Sequence, residues 1–262
     1  MKVTLITGAS GGIGEAFARA LAKKRQNLVL VARSEDRLHQ ICDELMLQYG
    51  ITAHYVAVDL NEFEADQRLF DETQKHGMEV DCLINNAGFG SMGDFAQLEL
   101  ERELDMIGLN IMVLVALTHR YLQGMRARKS GKIINVSSTA SFQPVPYMAT
   151  YAATKAFVTS FTEAIAEENR QFGITATAVC PGPTETNFFD SANAIPFSTM
   201  QTPDEVVETA LKGVQQGKSH IISGWTNYLK AHAATFVPNS VVTKFISAVI
   251  RPKLKNQKKL KK

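Results

Sequence analysis

The sequence lacks long hydrophobic runs, and it has few cysteines. No segment approaches the ~20 consecutive apolar residues of a membrane-spanning helix. Residues 1–4 lead directly into a predicted strand, which leaves no room for a signal peptide. Cys42, Cys82 and Cys180 show no CxxC or Cys/His spacing, and the six histidines do not cluster. We therefore expect reduced core cysteines, a cytoplasmic location and no metal site.

The chain does have an ordinary globular composition and a regular alternation of short apolar runs with longer amphipathic stretches. Its 262 residues, 45% hydrophobic and 21% charged, suit one large α/β domain. Strand-length runs divided by helical stretches predict parallel strands joined by right-handed crossovers. The expected fold is a doubly wound parallel sheet of about seven strands, a Rossmann fold with its ligand at the carboxyl ends of the strands. The predicted strands are residues 3–6, 28–31, 55–58, 82–84, 133–136, 175–179 and 220–222.

The first crossover carries a glycine-rich turn between a strand and a helix, Thr7-Gly8-Ala9-Ser10-Gly11-Gly12-Ile13-Gly14. Glycines let the backbone turn tightly and approach a pyrophosphate, whose charge is stabilised at the N-terminus of the helix. A purely structural turn is the alternative, but this location favours nucleotide binding. The predicted cofactor contacts in the turn are Gly8, Ser10, Gly12, Ile13 and Gly14.

The end of the second predicted strand bears on the choice of cofactor. A site for NAD usually has a carboxylate there, whereas an arginine accommodates the 2′-phosphate of NADP. Here Ala32 and Arg33 occupy the region, and Glu35 and Asp36 belong to the next helix. We therefore predict NADP (NADPH) as the cofactor, with a merely solvated Arg33 as the alternative.

Polar and small residues also follow the third and fourth predicted strands. Such residues are often only turn formers. In a doubly wound sheet, however, both strand ends lie along the cofactor groove. The residues predicted to contact adenine and ribose are Asp59, Leu60, Asn86, Ala87 and Gly88.

A hydroxyl, a phenol and an ammonium group follow the fifth predicted strand at a spacing that suits proton transfer. Ser138 ends the strand, and Tyr151 and Lys155 lie one helical turn apart on the same face of a predicted helix. Tyr151 could donate a proton to a carbonyl oxygen to which Ser138 hydrogen-bonds. The positive charge of Lys155 is expected to lower the pKa of Tyr151. Each residue alone has a structural explanation, so the prediction depends on the accompanying motifs.

Taken in order, these motifs resemble the short-chain dehydrogenase/reductase family, in its single-domain, NADP-preferring branch. The match runs from about residue 3 to about residue 222 and also includes Pro181-Gly182. The resemblance implies that Tyr151 is the general acid in reduction, that Ser138 orients the carbonyl, and that Lys155 perturbs Tyr151 and binds the ribose.

The resemblance assigns roles to further residues. Asn110 would hold a relay water beside the lysine. Pro181-Gly182-Pro183-Thr184 would cover the nicotinamide, with Thr184 or Thr186 reaching its carboxamide. The family also implies a homodimer or homotetramer formed through its two long central helices.

The predicted reaction interconverts a carbonyl and an alcohol on a small or medium apolar substrate. The candidate walls of the substrate site, residues 89–92, 140–147 and 185–197, are apolar and aromatic, although packing of a lid would explain them equally well. A second tyrosine, Tyr147, does not have the spacing to Lys155 that enoyl reductases use. One alternative function is a non-catalytic nucleotide-binding scaffold or redox sensor. A sugar-nucleotide epimerase is another, but it normally has a larger substrate domain and a different glycine spacing.

Forty residues follow the last predicted strand, so we divide the chain into an oxidoreductase domain, 1–225, and a C-terminal extension, 226–262. Asn239-Ser240 could cap a helix with an apolar stripe from Val241 to Ile250. Residues 251–262 carry seven basic residues and no acid, whereas the first 250 residues have a net charge of −5. The extension could pack on the domain or a partner subunit, its lysines could be solvated, or it could contact a membrane peripherally. The other expected partner is a small molecule, not a nucleic acid.

Overall fold

Seven strands alternate with helices along most of the chain. The computed structural model describes residues 1–195 and 199–260, except for the side chains of residues 255–260. All seven predicted strands are present, most of them one to three residues longer than predicted. They are β1 (Lys2–Thr7), β2 (Leu28–Ala32), β3 (Ala53–Ala57), β4 (Glu79–Asn85), β5 (Gly131–Val136), β6 (Ile174–Cys180) and β7 (His220–Ile222).

The strands form one parallel sheet in the order β3-β2-β1-β4-β5-β6-β7. Because the chain moves from β1 to one side of the sheet and then returns to β4 on the other, the order reverses between these two strands. A ligand crevice opens at such a reversal, outside the carboxyl ends of the strands. The predicted doubly wound fold is confirmed.

Helices cover both faces of the sheet because neighbouring strand residues point to opposite sides. Ile6 packs in the apolar layer that contains Phe17 and Leu38, whereas Leu5 packs in the opposite layer with Leu69 and Leu117. The helices are α1 (Gly12–Lys23), α2 (Glu35–Tyr49), α3 (Ala65–Lys75), α4 (Leu100–Ile107), α5 (Leu114–Ala127), α6 (Ala149–Arg170), α7 (Phe188–Ser191), α8 (Pro203–Gln215), α9 (Trp225–Thr235) and α10 (Asn239–Leu260).

The helix predicted near the C-terminus is α10, and it continues well past the predicted stripe into the basic segment. On one side of α10, Ile250 and Leu254 pack against a small apolar cluster that includes Met92 and Ala192. One side of the last part of α10 therefore contacts the domain, whereas Val241, Phe245 and Val249 of the predicted stripe are exposed. None of the helices in the described part of the chain has the length and hydropathy needed to span a bilayer.

In the part of the chain that the structure describes, the residues that could ligate a metal form no cluster. Cys42, Cys82 and Cys180 are buried free thiols. Within residues 1–195 and 199–260, no three His, Cys, Asp or Glu side chains are placed to hold a metal ion. The candidate functional site of the protein is the crevice at the carboxyl ends of the strands.

Candidate active site

A cavity of about 890 Å³ lies at the carboxyl ends of the strands. The glycine-rich turn lines one part of it, and the start of α6 lines another. Most of the predicted site residues border it. They are Gly8, Ser10, Gly12, Ile13, Asn86, Ala87, Gly88, Ser138, Tyr151, Lys155, Pro181, Gly182, Thr184 and Thr186.

The glycine-rich turn has a backbone shape that requires glycine. Gly8 and Gly12 have φ angles of +66° and +55°, which side chains other than glycine rarely adopt. A Cβ atom on Gly14 would lie 2.2 Å from the Gly8 carbonyl oxygen, so Gly14 lets the turn lie against α1 without itself bordering the cavity. The first N–H groups of a helix have no partner within the helix, and Gly12 and Ile13 at the start of α1 border the cavity, so this arrangement fits a pyrophosphate.

Asn86 braces this turn from the neighbouring strand. Its Nδ2 donates hydrogen bonds to the carbonyl oxygens of Thr7 (2.9 Å) and Gly8 (3.2 Å). In return, the Thr7 hydroxyl accepts hydrogen bonds from the backbone N–H groups of Asn86 and Ala87, both at 3.0 Å. The ends of β1 and β4 are therefore held together at the point where the order of the sheet reverses.

Ser138, Tyr151 and Lys155 converge at the cavity as their spacing predicted. Tyr151 and Lys155 lie one turn apart in α6, and both are buried. Ser138 borders the cavity beside Tyr151, and its hydroxyl interacts favourably with the ionised form of the Tyr151 phenol. The ammonium nitrogen of Lys155 donates to the Val136 carbonyl oxygen at 2.9 Å and lies 5.8 Å from the centroid of the Tyr151 ring.

Burial dominates the protonation of both groups. Burial raises the pKa of Tyr151 to about 12, and the interaction with Ser138 opposes this shift. Burial also lowers the pKa of Lys155 to about 8. This differs from the expectation that Lys155 lowers the pKa of Tyr151, because the ammonium group is directed to the Val136 carbonyl. With this raised pKa the Tyr151 phenol keeps its proton at neutral pH, as a proton donor requires.

Asn110 lies behind the cavity, in a π-helical turn, Gly108–Val113, between α4 and α5. Its amide nitrogen donates to the Phe89 carbonyl (3.0 Å) and to the Thr154 hydroxyl (3.1 Å). A Cβ atom on Gly88 would lie 2.7 Å from the amide oxygen of Asn110 and 3.5 Å from the Lys155 nitrogen. Asn110 is therefore adjacent to the Gly88–Lys155 part of the site, and the wide turn, common at functional sites, places it there.

Ser137 also holds the site together, although the sequence analysis did not predict it as a site residue. Its hydroxyl donates to the Lys155 carbonyl at 2.8 Å and contacts the Thr159 hydroxyl at 2.7 Å. It thus fixes α6 to the end of β5, next to Ser138. The paired serines at the end of the fifth strand were the available signal for this role.

Besides Gly14, three predicted cofactor contacts do not border the cavity, namely Arg33, Asp59 and Leu60. Arg33 is exposed, and its guanidinium lies 3.7 Å from the Asp59 carboxylate. Leu60 is buried among apolar residues on the other face of the sheet from Phe17. The predicted set at the ends of β2 and β3 therefore does not border the cavity.

Comparisons with known proteins identify the family of the chain. Residues 2–195 match the family described as short chain dehydrogenase. The chain belongs to the short-chain dehydrogenase/reductase family. The predicted family is thus confirmed, and the protein is an oxidoreductase of that family.

Several members of the family resemble this chain over most of its length. The very-long-chain 3-oxoacyl-CoA reductase of Anas platyrhynchos is 32% identical over 84% of this chain and 73% of the relative. The ketoacyl reductase HetN of Nostoc is 31% identical over 84% of this chain and 78% of the relative. A short-chain dehydrogenase from Sphingobium yanoikuyae, solved in complex with NADPH, is 30% identical with a TM-score of 0.80, and the match covers 85% of this chain and 87% of that one.

In this short-chain dehydrogenase/reductase the predicted substrate walls are only partly in place. Phe188 packs against Tyr151, with ring centroids 5.1 Å apart, and lines the cavity with Met92 and Phe189. Phe142 does not line the cavity. It packs against the apolar cluster of Cys180, Ile222 and other residues near β7. Phe197 lies outside the described residues.

An unpredicted wall of the cavity comes from α10. Phe245, Ile246, Val249 and Ile250 line it together with Lys253. The apolar stripe was visible in the sequence, but the surface that it covers depends on the path of the chain between β7 and α10. This wall makes the part of the cavity near Tyr151 more apolar.

Proposed function

We propose that the protein is an NADP(H)-dependent oxidoreductase that interconverts a carbonyl and an alcohol on a small or medium apolar substrate, with Tyr151 as general acid and base. One observation carries the proposal. Ser138, Tyr151 and Lys155 meet in a cavity whose other end is a glycine-rich turn suited to a pyrophosphate and whose walls are largely apolar. A nucleotide-binding scaffold does not require a buried phenol beside a serine and a lysine in the cavity.

Each of the residues at the cavity has a separate role in the reduction of a carbonyl. When bound, a nicotinamide cofactor supplies the hydride that the carbonyl carbon accepts. Tyr151 donates its proton to the carbonyl oxygen, and Ser138 holds that oxygen by a hydrogen bond. Lys155 binds the ribose hydroxyls, while Asn110 lies beside it at the point where a water could relay the proton outward. The oxidation of an alcohol reverses these transfers.

Charge at the end of β2 supports NADP as the preferred cofactor. The pair between Arg33 and Asp59 is long and exposed, so it contributes little and leaves the guanidinium free to turn to a 2′-phosphate. Arg19 also borders the cavity, but its guanidinium is paired with Glu15 and Glu44, so Arg33 is the arginine that supports the choice of NADP. The similar Sphingobium structure holds NADPH, which agrees with this choice.

The walls near Tyr151 support an apolar ketone as the substrate. Met92, Phe188, Phe189 and the apolar α10 residues Phe245, Ile246, Val249 and Ile250 carry no charge that would bind a polar substrate, and Lys253 is the charged residue that α10 adds to the lining. The names of two relatives, a 3-oxoacyl-CoA reductase and a ketoacyl reductase, support a carbonyl on an acyl chain.

The test is an assay of cofactor oxidation against carbonyl compounds graded by chain length and ring number, with NADPH and with NADH. We expect NADPH oxidation that improves with the apolar size of the substrate and is lost in Tyr151→Phe. Tight binding of NADPH without turnover of any substrate would instead indicate a non-catalytic scaffold. Conversion of a sugar nucleotide without net cofactor oxidation would indicate an epimerase.

We also propose a cytoplasmic homo-oligomer whose C-terminal extension begins near residue 226. Leu100, Leu104 and Met112 are exposed on α4 and the turn after it, and Phe157 is exposed on α6. These apolar side chains belong to the two long central helices, where a partner subunit would cover them. Light scattering after size exclusion should show a dimer or tetramer, and Met112→Lys should shift it toward the monomer.

A further inference from the structure

The end of α9 and the outer side of α10 expose a row of large apolar side chains. Phe236 and Phe245 are 85% and 71% exposed, and Val237, Val241 and Val249 are exposed beside them. We call these five residues the outer apolar face. Val241, Phe245 and Val249 are spaced at i, i+4 and i+8, so they form one stripe along the helix.

The opposite side of α10 is already covered by the domain. Ile250 and Leu254 pack against the cluster that includes Met92 and Ala194. A helix that is apolar on two opposite sides is normally buried on both. The outer apolar face therefore has the composition of a contact surface and not of a solvated one.

The charge around this face indicates what covers it. Residues 209–262 contain eleven lysines and arginines and no aspartate or glutamate, although the rest of the chain is acidic on balance. Lys230 on α9 and Lys244, which directly precedes Phe245 on α10, are exposed. A second copy pairing through the same face would bring like charges together, whereas an anionic surface is complementary to it.

The outer apolar face is also continuous with the cavity. Phe245 and Val249 are exposed, and both line the cavity in which Tyr151 lies. An apolar molecule could therefore pass along Phe245 and Val249 from outside the protein into the cavity, whose α10 wall also carries Lys253.

We propose that the outer apolar face and its basic border dock on an anionic lipid bilayer, and that an apolar substrate enters the cavity from that bilayer. Partly inserted apolar side chains supplemented by basic residues form the usual pattern of an interfacial helix. The docking stands independently of the catalytic proposal, whereas the route of entry depends on it.

The first test measures how the full-length protein partitions onto vesicles of neutral phosphatidylcholine and of phosphatidylcholine with phosphatidylserine. We expect binding that requires phosphatidylserine and weakens in high salt. Phe236→Ser with Val241→Ser, residues that do not line the cavity, should lower the partition coefficient more than tenfold. The matched control is Leu47→Ser with Phe63→Ser, which removes exposed apolar side chains elsewhere and should bind like the wild type.

A second pair of variants tests the charge separately. Lys230→Glu with Lys244→Glu should lower binding more than tenfold, since each basic residue near an anionic bilayer contributes about fivefold. Lys24→Glu with Lys75→Glu makes the same change of net charge on exposed residues elsewhere and should bind within about twofold of the wild type, because surface charges far from the bilayer are screened.

Three outcomes would overturn the proposal: equal binding to neutral and anionic vesicles, equal losses in the test and control pairs, or no binding by the wild type. A change of oligomeric state in Phe236→Ser with Val241→Ser would show that a second copy covers the face. Tyr151→Phe should bind vesicles like the wild type, so that failure of the catalytic proposal is distinguished from failure of docking. If entry is from the bilayer, anionic vesicles should raise kcat/KM for a vesicle-dissolved ketone and leave a water-soluble ketone unchanged.

Discussion

The guanidinium of Arg251 donates a hydrogen bond of 2.8 Å to the phenol oxygen of Tyr147. The two residues are 104 positions apart, and the bond joins α10 to the loop before α6. The hydrogen bonds from Arg251 and Ser247 lower the pKa of the Tyr147 phenol. Tyr147, which does not have the spacing to pair with Lys155, therefore helps to hold α10 in place as a wall of the cavity.

Loss of this bond should affect substrate binding more than chemistry. We expect Arg251→Ala and Tyr147→Phe each to raise KM for the larger apolar substrates about two- to fivefold, since an exposed hydrogen bond contributes roughly 0.5–1 kcal/mol. Their kcat values should stay near the wild type. The measurement is steady-state kinetics across the carbonyl panel, with the exposed Arg170→Ala as control. If the double variant shows the full sum of the two single effects, the residues do not act through one another.

Tyr151→Phe removes the proposed proton donor with little change of volume. We expect kcat to fall about 10²- to 10⁴-fold, because a positioned general acid contributes a factor of that size. The dissociation constant of NADPH, from fluorescence titration, should change little. Tyr147→Phe serves as the matched phenol control and should keep its kcat. A Tyr151→Phe enzyme with near-wild-type kcat would exclude the assignment.

The low pKa of Lys155 predicts how the stability of the cofactor-free protein depends on pH. Between a folded pKa of about 8 and an unfolded value of 10.5, the unfolded chain binds a proton that the folded chain does not. The free energy of unfolding of the wild type therefore rises with pH in that window. Lys155→Met lacks this rise, so from pH 7 to pH 10 the wild type should gain about 2–3 kcal/mol relative to the variant.

Chemical denaturation at pH 7, 8, 9 and 10 measures this difference. The raised pKa of Tyr151 affects the free energy of unfolding of both proteins in the same direction, so its contribution largely cancels in the difference between them. Lys132→Met, a substitution of an exposed lysine on β5, should follow the wild type at every pH. A difference between wild type and Lys155→Met that stays constant with pH would mean that the buried amine keeps its ordinary pKa.

Arg33 should determine much of the choice between the two nicotinamide cofactors. A charge-assisted hydrogen bond contributes about 1.5–3 kcal/mol, so NADPH should bind at least about tenfold more tightly than NADH. Arg33→Ala should reduce that preference and leave NADH binding unchanged. Arg68→Ala, which removes an exposed arginine that pairs with Glu62, is the control. Equal dissociation constants for the two cofactors in the wild type would contradict the prediction.

Much of the site was predictable because its parts are local in sequence. Tyr151 and Lys155 share a face of α6 through helical spacing alone, and Ser138 follows a strand whose apolar run is easily recognised. The glycine-rich turn likewise lies between adjacent elements. Asn110 was different, since only the family resemblance distinguished it from a poor helix former in a buried helix.

By itself the sequence determined the seven strands, the doubly wound sheet and the set of groups at its carboxyl edge, because these follow from short-range periodicity and from the rules that connect neighbouring elements. The tertiary structure alone decided the pKa values of Tyr151 and Lys155. Burial raises the pKa of Tyr151, and the Val136 carbonyl holds the Lys155 ammonium group, so the expected effect of Lys155 on the Tyr151 pKa is absent. It also decided that Arg33 faces Asp59 and that α10 forms a wall of the cavity. Such contacts join residues far apart in the chain, and their energies depend on desolvation and distance, which no local pattern encodes.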